Sequence, residues 1–195
     1  MLKYIFISIV FIMLTSCSNT HKPETNNDIV WLVDLDNDGI MDKIIVDILN
    51  DNNTGEGARI SIYKGDSGLL IYSASADLPH IGWNGLYLFQ DENGSQIFSW
   101  HPTIYQGLGS FHYELFSFDA KGNKTVLDSS SFEFSMDAIR SEHSGLDEFV
   151  EYIQSVNSYL MQSSLIAETD GGILLYGTQN NPTVKMYIPD WLFYS

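Results

Sequence analysis

From Ile29 onward, apolar side chains recur at every second position in short runs, and several of these runs are closed by glycine, aspartate or asparagine. A period of two sends alternate side chains to opposite faces of an extended strand, so this pattern restricts most of the chain to sheet. β-Branched and aromatic residues fill the runs, as a pleated, half-buried surface favours. The expected strands are 29–34, 43–49, 58–64, 69–74, 85–90, 96–101, 110–118 and 124–134, then 172–177, with a further candidate at 183–188. Lys64-Gly65-Asp66-Ser67-Gly68, Asp91-Glu92-Asn93-Gly94 and Asp119-Ala120-Lys121-Gly122-Asn123 are turn signals between successive runs. Turns this short make hairpins, so neighbours in sequence become antiparallel neighbours in space.

One segment breaks the period. Leu146, Phe149, Val150, Ile153, Val156 and Leu160 recur at steps of three and four and form a single apolar stripe. Ser144 precedes it as an expected cap, and Asp147 opposes the positive end of the helix. The spacing predicts a helix over 145–162. Together these readings give an α+β, β-rich fold: one antiparallel meander sheet of about 8–10 strands, covered on its open face by this helix. A full β-propeller needs at least about four blades of four strands, more than the chain provides.

Cys17 is the sole cysteine, so no intrachain disulfide supports the fold. It follows Leu14-Thr15-Ser16, and before these runs the apolar stretch Tyr4-Ile5-Phe6-Ile7-Ser8-Ile9-Val10-Phe11-Ile12-Met13, preceded by Lys3. A charged start, a short apolar run and small residues make a secretory signal. A permanent membrane span needs about 20 apolar residues, which this run lacks. Leu-Thr-Ser-Cys resembles the lipobox of bacterial lipoproteins. The resemblance implies a signal peptide over 1–16 and lipid attachment at Cys17. Polar residues 18–28 then complete a lipidated flexible tether over 17–28, leaving 29–195 as a single β-rich domain. It also implies a place at the cell membrane or outer membrane of a bacterium, facing periplasm or exterior. Ser18 stands where inner-membrane retention commonly has aspartate, so outer-membrane placement is allowed. The formal charge of −16 disfavours nucleic acid and anionic headgroups as partners of the folded body, leaving the lipid on Cys17 as the membrane contact.

The strongest chemical motif is Asp34-Leu35-Asp36-Asn37-Asp38-Gly39-Ile40-Met41-Asp42. Alternate carboxylates in a tight loop converge on one point, and Gly39 permits the sharp turn that closes it. Asp34, Asp36, Asp38 and Asp42 with the main-chain carbonyl of Ile40 form an oxygen set suited to Ca²⁺, a hard cation with six to eight ligands. Mg²⁺ prefers fewer carboxylates and more water. The twelfth position is Ile45 rather than the glutamate of an EF-hand, and both flanks read as strands. Asp-x-Asp-x-Asp-Gly-x-x-Asp between strands resembles the calcium loops of FG-GAP and VCBS-type repeats. That resemblance covers 34–49 and implies a calcium-stapled hairpin without catalysis. More broadly, Gly82-Trp83-Asn84-Gly85-Leu86-Tyr87-Leu88, His101-Pro102-Thr103-Ile104-Tyr105-Gln106-Gly107 and Tyr113-Glu114-Leu115-Phe116 resemble a group of bacterial lipoproteins with one such loop and no settled activity.

For a binding surface the candidates are Trp83, Trp100, His101, Tyr105 and Phe111, grouped about the glycine-punctuated segment Gln106-Gly107-Leu108-Gly109. The competing reading places these rings in the core. His101 and His112 lie on adjacent expected strands and can face each other, but no zinc motif is present. Gly107-Leu108-Gly109-Ser110 is not a hydrolase nucleophile elbow. With no nucleophile, base and orienter visible, the sequence is not read as an enzyme. The expected function is a membrane-anchored, calcium-binding envelope lipoprotein that acts as an interaction module for an envelope protein or wall polymer. The alternative is an inhibitor of envelope-attacking enzymes, resembling lysozyme inhibitors and inserting Thr103–Ser110 as a loop. A hydrolase is the third and least favoured reading.

Overall fold

A computed structural model describes residues 29–51, 55–76, 84–170, 173–180, 182 and 186–189. The expected signal peptide, Cys17 and the tether lie outside the described residues, as does Trp83. In order, the elements are β1 (Ile29–Val33), β2 (Asp42–Asp51), β3 (Gly55–Tyr63), β4 (Leu70–Ala76), β5 (Gly85–Asp91), β6 (Gly94–Tyr105), β7 (Leu108–Phe118), β8 (Lys124–Ser135), α1 (Met136–Glu142), α2 (Leu146–Leu160), β9 (Ser163–Asp170) and β10 (Ile173–Tyr176).

The expected single meander is corrected to two antiparallel sheets. β1-β2-β3-β4 form a four-stranded sheet, and a six-stranded sheet runs β10-β9-β5-β6-β7-β8. The reason lies in the six-stranded sheet, which is apolar on both faces and needs a cover on each. On one face Leu86, Leu88, Ile97, Phe116, Phe118, Ile166 and Ala167 pack against Trp31, Val33, Ile44, Val46, Ile60 and Ile62 of the small sheet. On the other, Tyr87, Phe89, Phe98, Trp100, Phe111, Tyr113, Leu115 and Leu165 pack beneath Phe149, Tyr152, Ile153, Val156 and Leu160 of α2. A helix stripe about 100° wide cannot also shield the opposite face of a sheet. The result is three layers: sheet, sheet, helix.

The stripe predicted for α2 is the buried one, but the single-helix expectation is not met. α1 precedes it, seven residues long with only Ile139 buried, too short to print a stripe on the sequence. Ser135 caps α1, its hydroxyl accepting from the Ala138 N–H. Ser144 does not cap α2. Its N–H donates to the Ala138 carbonyl and helps close α1. Gly145, at φ 76°, is the N-cap of α2 and offers no side-chain bond. β9 lies within a stretch given no strand from sequence, because it follows α2 within three residues and its centre, Leu165-Ile166-Ala167, shows no alternation. The candidate strand at 183–188 does not form over its described part, 186–189, and 183–185 lie outside the described residues.

Candidate functional site

The aspartate motif links β1 to β2 at one end of the small sheet. Asn37 and Gly39 take left-handed backbone conformations, φ 57° and 84°. These reverse the chain tightly enough that the carboxylates of Asp34 and Asp36 accept from the Asp38 N–H at 3.2 and 3.1 Å. Asp34 also accepts from the Gly39 N–H at 2.9 Å, and Asp38 from the Ile40 N–H at 2.8 Å. Ligand atoms of Asp34, Asp36 and Asp42 lie within 4.8 Å of one another.

Asp42 is the anchor of the loop. It is 1% exposed, and its two oxygens accept from the Leu35 N–H at 2.9 Å and the Gly65 N–H at 2.8 Å. One carboxylate therefore ties the β1–β2 loop to the β3–β4 turn. The approach at Gly65 is close: a Cβ there would lie 2.3 Å from the Met41 carbonyl oxygen, so only glycine fits. Burial pushes the Asp42 carboxyl above its ordinary range, against the opposing pull of the Leu35 and Gly65 N–H groups.

Asp38 is placed differently from the other three carboxylates. Its side chain is not in the three-carboxylate group. Asp38 and Asp36 each accept a 2.7 Å bond from the Lys64 ammonium, and Asp66 lies 3.4 Å from the same nitrogen. Lys64 is 5% exposed, a buried internal cation that the sequence reading treated only as part of a turn. Its hydrogen bonds to Asp36 and Asp38 raise its pKa well above the usual lysine value, and its bond to Asp38 is the main cause of that carboxyl's lowered pKa. Only the register shows this: Tyr63, the last residue of β3, opposes Lys43, so Lys64, the residue after it, meets the aspartate loop. The Ile40 side chain is 45% exposed, leaving its carbonyl as the only part of that residue suited to a ligand role.

The donors are all oxygen, which suits a hard cation. A carboxylate oxygen that accepts one N–H retains a second lone pair for a metal. One ammonium does not balance the charge of Asp34, Asp36, Asp38 and Asp42, so the residues present fit a divalent ion.

The expected binding surface does not assemble. Trp100 and Phe111 are 0% exposed and sit in the aromatic core, their rings edge to face at 5.4 Å. They are corrected to core residues, because even-numbered positions of β6 face α2. The segment Thr103–Ser110 is not a loop: β6 and β7 run to a two-residue turn at Gln106 and Gly107, with φ 50° and 81°. Two positive φ values give the turn whose twist matches a hairpin. Of the four candidates among the described residues only Tyr105 is exposed, at 60%. It shares the hairpin tip with Leu108, at 65%.

His101 faces the other way, toward the small-sheet side. It meets His112 as expected, ring centroids 6.4 Å apart and nearly parallel. It also joins Ser99, which the sequence reading passed over, and Asn84, which that reading named without giving it a role at His101. Nε2 of His101 lies 2.5 Å from the Ser99 hydroxyl, and Nδ1 lies 2.6 Å from Oδ1 of Asn84. Because Asn84 Oδ1 can only accept, Nδ1 carries the proton and Nε2 accepts from Ser99. Burial lowers the His101 pKa, and the neighbouring His112 lowers it further, so the ring is neutral at pH 7. The signal for this chain was Ser-x-His on one strand, where the period of two places both side chains on one face. No family model, curated protein or solved structure matches this chain.

Proposed function

We propose that this protein is a lipid-anchored, calcium-binding lipoprotein of the bacterial cell envelope that acts as an interaction module. The observation that carries the calcium part is the convergence of Asp34, Asp36 and Asp42 within 4.8 Å at the end of the small sheet. The ion would be held by these carboxylates and the Ile40 carbonyl, with Lys64 balancing part of the remaining charge through Asp36 and Asp38. Because the Asp42 carboxylate binds both the β1–β2 loop and the β3–β4 turn, an ion there staples two connections of one sheet. The ion supplies stability by mass action.

The interaction part rests on the β6–β7 hairpin tip. Tyr105 and Leu108, paired with each other at the ends of β6 and β7, expose an aromatic ring and an aliphatic side chain, and large side chains of this kind anchor protein interfaces. The partner is an envelope protein. The second reading, an inhibitor of envelope-attacking enzymes, draws on the same tip: a rigid two-residue hairpin enters a cleft with little ordering cost.

Thermal unfolding in chelator, then in millimolar Ca²⁺ or Mg²⁺, tests the site. A calcium-selective rise in Tm that disappears in Asp34→Asn supports it. An identical Tm in all three conditions rejects it. Capture from envelope extracts, compared between the natural chain and Tyr105→Ala/Leu108→Ser, tests the tip. An unchanged set of captured proteins rejects that assignment.

A further inference from the structure

The Ser99–His101–Asn84 chain lies on the six-stranded sheet, apart from the aspartate loop and from the hairpin tip. Its residues come from the centre of the fold. Ser99 and His101 are alternate residues of β6, which is paired on both sides, by β5 and β7. Asn84 enters immediately before β5, and the pairing of Gly85 with Trp100 brings it level with His101. Strand pairing on both sides therefore fixes Ser99 and His101, and Asn84 meets them through its bond to His101. Ser99 is 5% exposed, so its hydroxyl is largely withdrawn from bulk water.

We propose that Ser99 is a nucleophile, His101 its general base and Asn84 the positioning residue of a hydrolytic site for small uncharged acyl esters. Three observations converge on this. The hydroxyl donates to a ring nitrogen at 2.5 Å, within the reach a proton transfer needs. The other ring nitrogen is held at 2.6 Å by an acceptor that fixes the tautomer with Nε2 unprotonated. On both sides β6 is paired, and on the same face His112 stands opposite His101 while the Glu114–Lys124 ion pair stands opposite Ser99, so both residues are held in a polar setting. The net charge of −16 disfavours anionic substrates, which points to neutral esters.

In the first half-reaction Ser99 Oγ bonds to the ester carbonyl carbon while its proton passes to His101 Nε2. The carbon–oxygen bond to the leaving group then breaks, and His101 returns the proton to the departing alkoxide. In the second, water attacks the acyl-serine. His101 takes the water's proton and delivers it to Ser99 Oγ, releasing the carboxylic acid and restoring the site. Asn84 Oδ1 accepts from Nδ1 throughout.

The test uses the full-length chain in detergent, with calcium present, and a small fluorophosphonate. Ser99 Oγ would displace fluoride from phosphorus, with the Oγ proton leaving through His101. Peptide mass spectrometry is expected to place the adduct on Ser99, with none in Ser99→Ala and a labelling rate at least tenfold lower in His101→Gln. Hydrolysis of p-nitrophenyl butyrate should fall in parallel. Asn84→Ala should slow labelling and Asn84→Asp, which keeps the acceptor oxygen, should restore it. A structural hydrogen bond alone would not produce that rescue. The labelling rate should rise with pH through a value below that of ordinary histidine, with His112, Glu114 and Lys124 the charged groups facing the ring. Folding is checked for each variant by circular dichroism. Natural protein that is folded, unlabelled at Ser99 and inert toward the ester overturns the proposal. So does labelling that persists at full rate in His101→Gln.

Discussion

Between the two sheets the core is largely aliphatic and ends at a cluster of charges; beneath α2 it is aromatic and ends at hydroxyls. In the first layer Val33, Ile44, Val46, Ile60 and Ile62 close onto Leu86, Leu88 and Ile97, and the end of the layer is the Asp42 and Lys64 network. In the second, Phe111, Phe149, Phe132 and Phe134 contact one another with ring centroids 4.8 to 5.9 Å apart. Tyr113 and Tyr159 then donate to the Asp128 carboxylate at its edge. Burial of rings stabilises whatever the solution contains. A buried carboxylate cluster stabilises only while cations balance it. The aromatic half is therefore expected to keep its stability whatever ions are present, and the half ending at the carboxylates to respond to them.

The largest expected effect comes from the aromatic side. Phe149 is 0% exposed, and Phe149→Ala should cost about 3–5 kcal/mol by urea unfolding, with the same loss in chelator and in calcium. A loss that calcium reduces would break the comparison. Next is Lys64→Met, which leaves Asp36 and Asp38 without their ammonium. Its Tm should fall by several degrees in chelator, and calcium should raise the variant's Tm by more than it raises that of the natural chain. Equal losses with and without calcium would mean that the charge cluster does not respond to ions.

A smaller effect is expected at Glu114, whose pair with Lys124 at 2.5 Å is partly open to water. The hydrogen bond from Lys124 holds the Glu114 carboxyl below its ordinary value of 4.5. A lowered folded-state value favours the folded protein above pH 4.5, and the gain is lost as pH falls through that lowered value. Glu114→Gln should therefore cost about 0.5 kcal/mol at pH 7, and the difference from the natural chain should vanish in acid. A difference that persists in acid would assign the cost to packing. The smallest effect belongs to Tyr152, whose buried hydroxyl has no hydrogen-bond partner among the described residues. Tyr152→Phe should leave chemical stability unchanged or raise it by about 0.5 kcal/mol. A loss above about 1 kcal/mol would show that the hydroxyl is engaged, and that the aromatic layer depends on polar contacts as well.

Strands from β1 to β8 were legible because runs of β-branched and aromatic residues are closed by nearby turn signals, a local mark that held even for β5 and β6, which are buried on both faces. The α2 stripe was legible as a local mark too. β9 was not, since it follows α2 within three residues and its centre, Leu165-Ile166-Ala167, shows no alternation. The candidate site divided along the same line. Asp34, Asp36 and Asp42 stand in one loop and read as a motif, whereas Lys64 reaches them only through the β2–β3 register. Trp100 and Phe111 illustrate the opposite error. Aromatic residues near glycine suggest a surface, but the parity of β6 turns Trp100 inward and brings His101 beside Ser99 and Asn84.

The sequence by itself determined the β-rich class, the hairpin turns, the α2 helix and the aspartate loop, because each depends on residues close together in the chain. The tertiary structure alone decided the division into two sheets, which face of β6 became core, the placing of Lys64 among carboxylates and the meeting of Asn84 with His101. These depend on strand register and layer packing, where a shift of one residue exchanges the two faces of a strand.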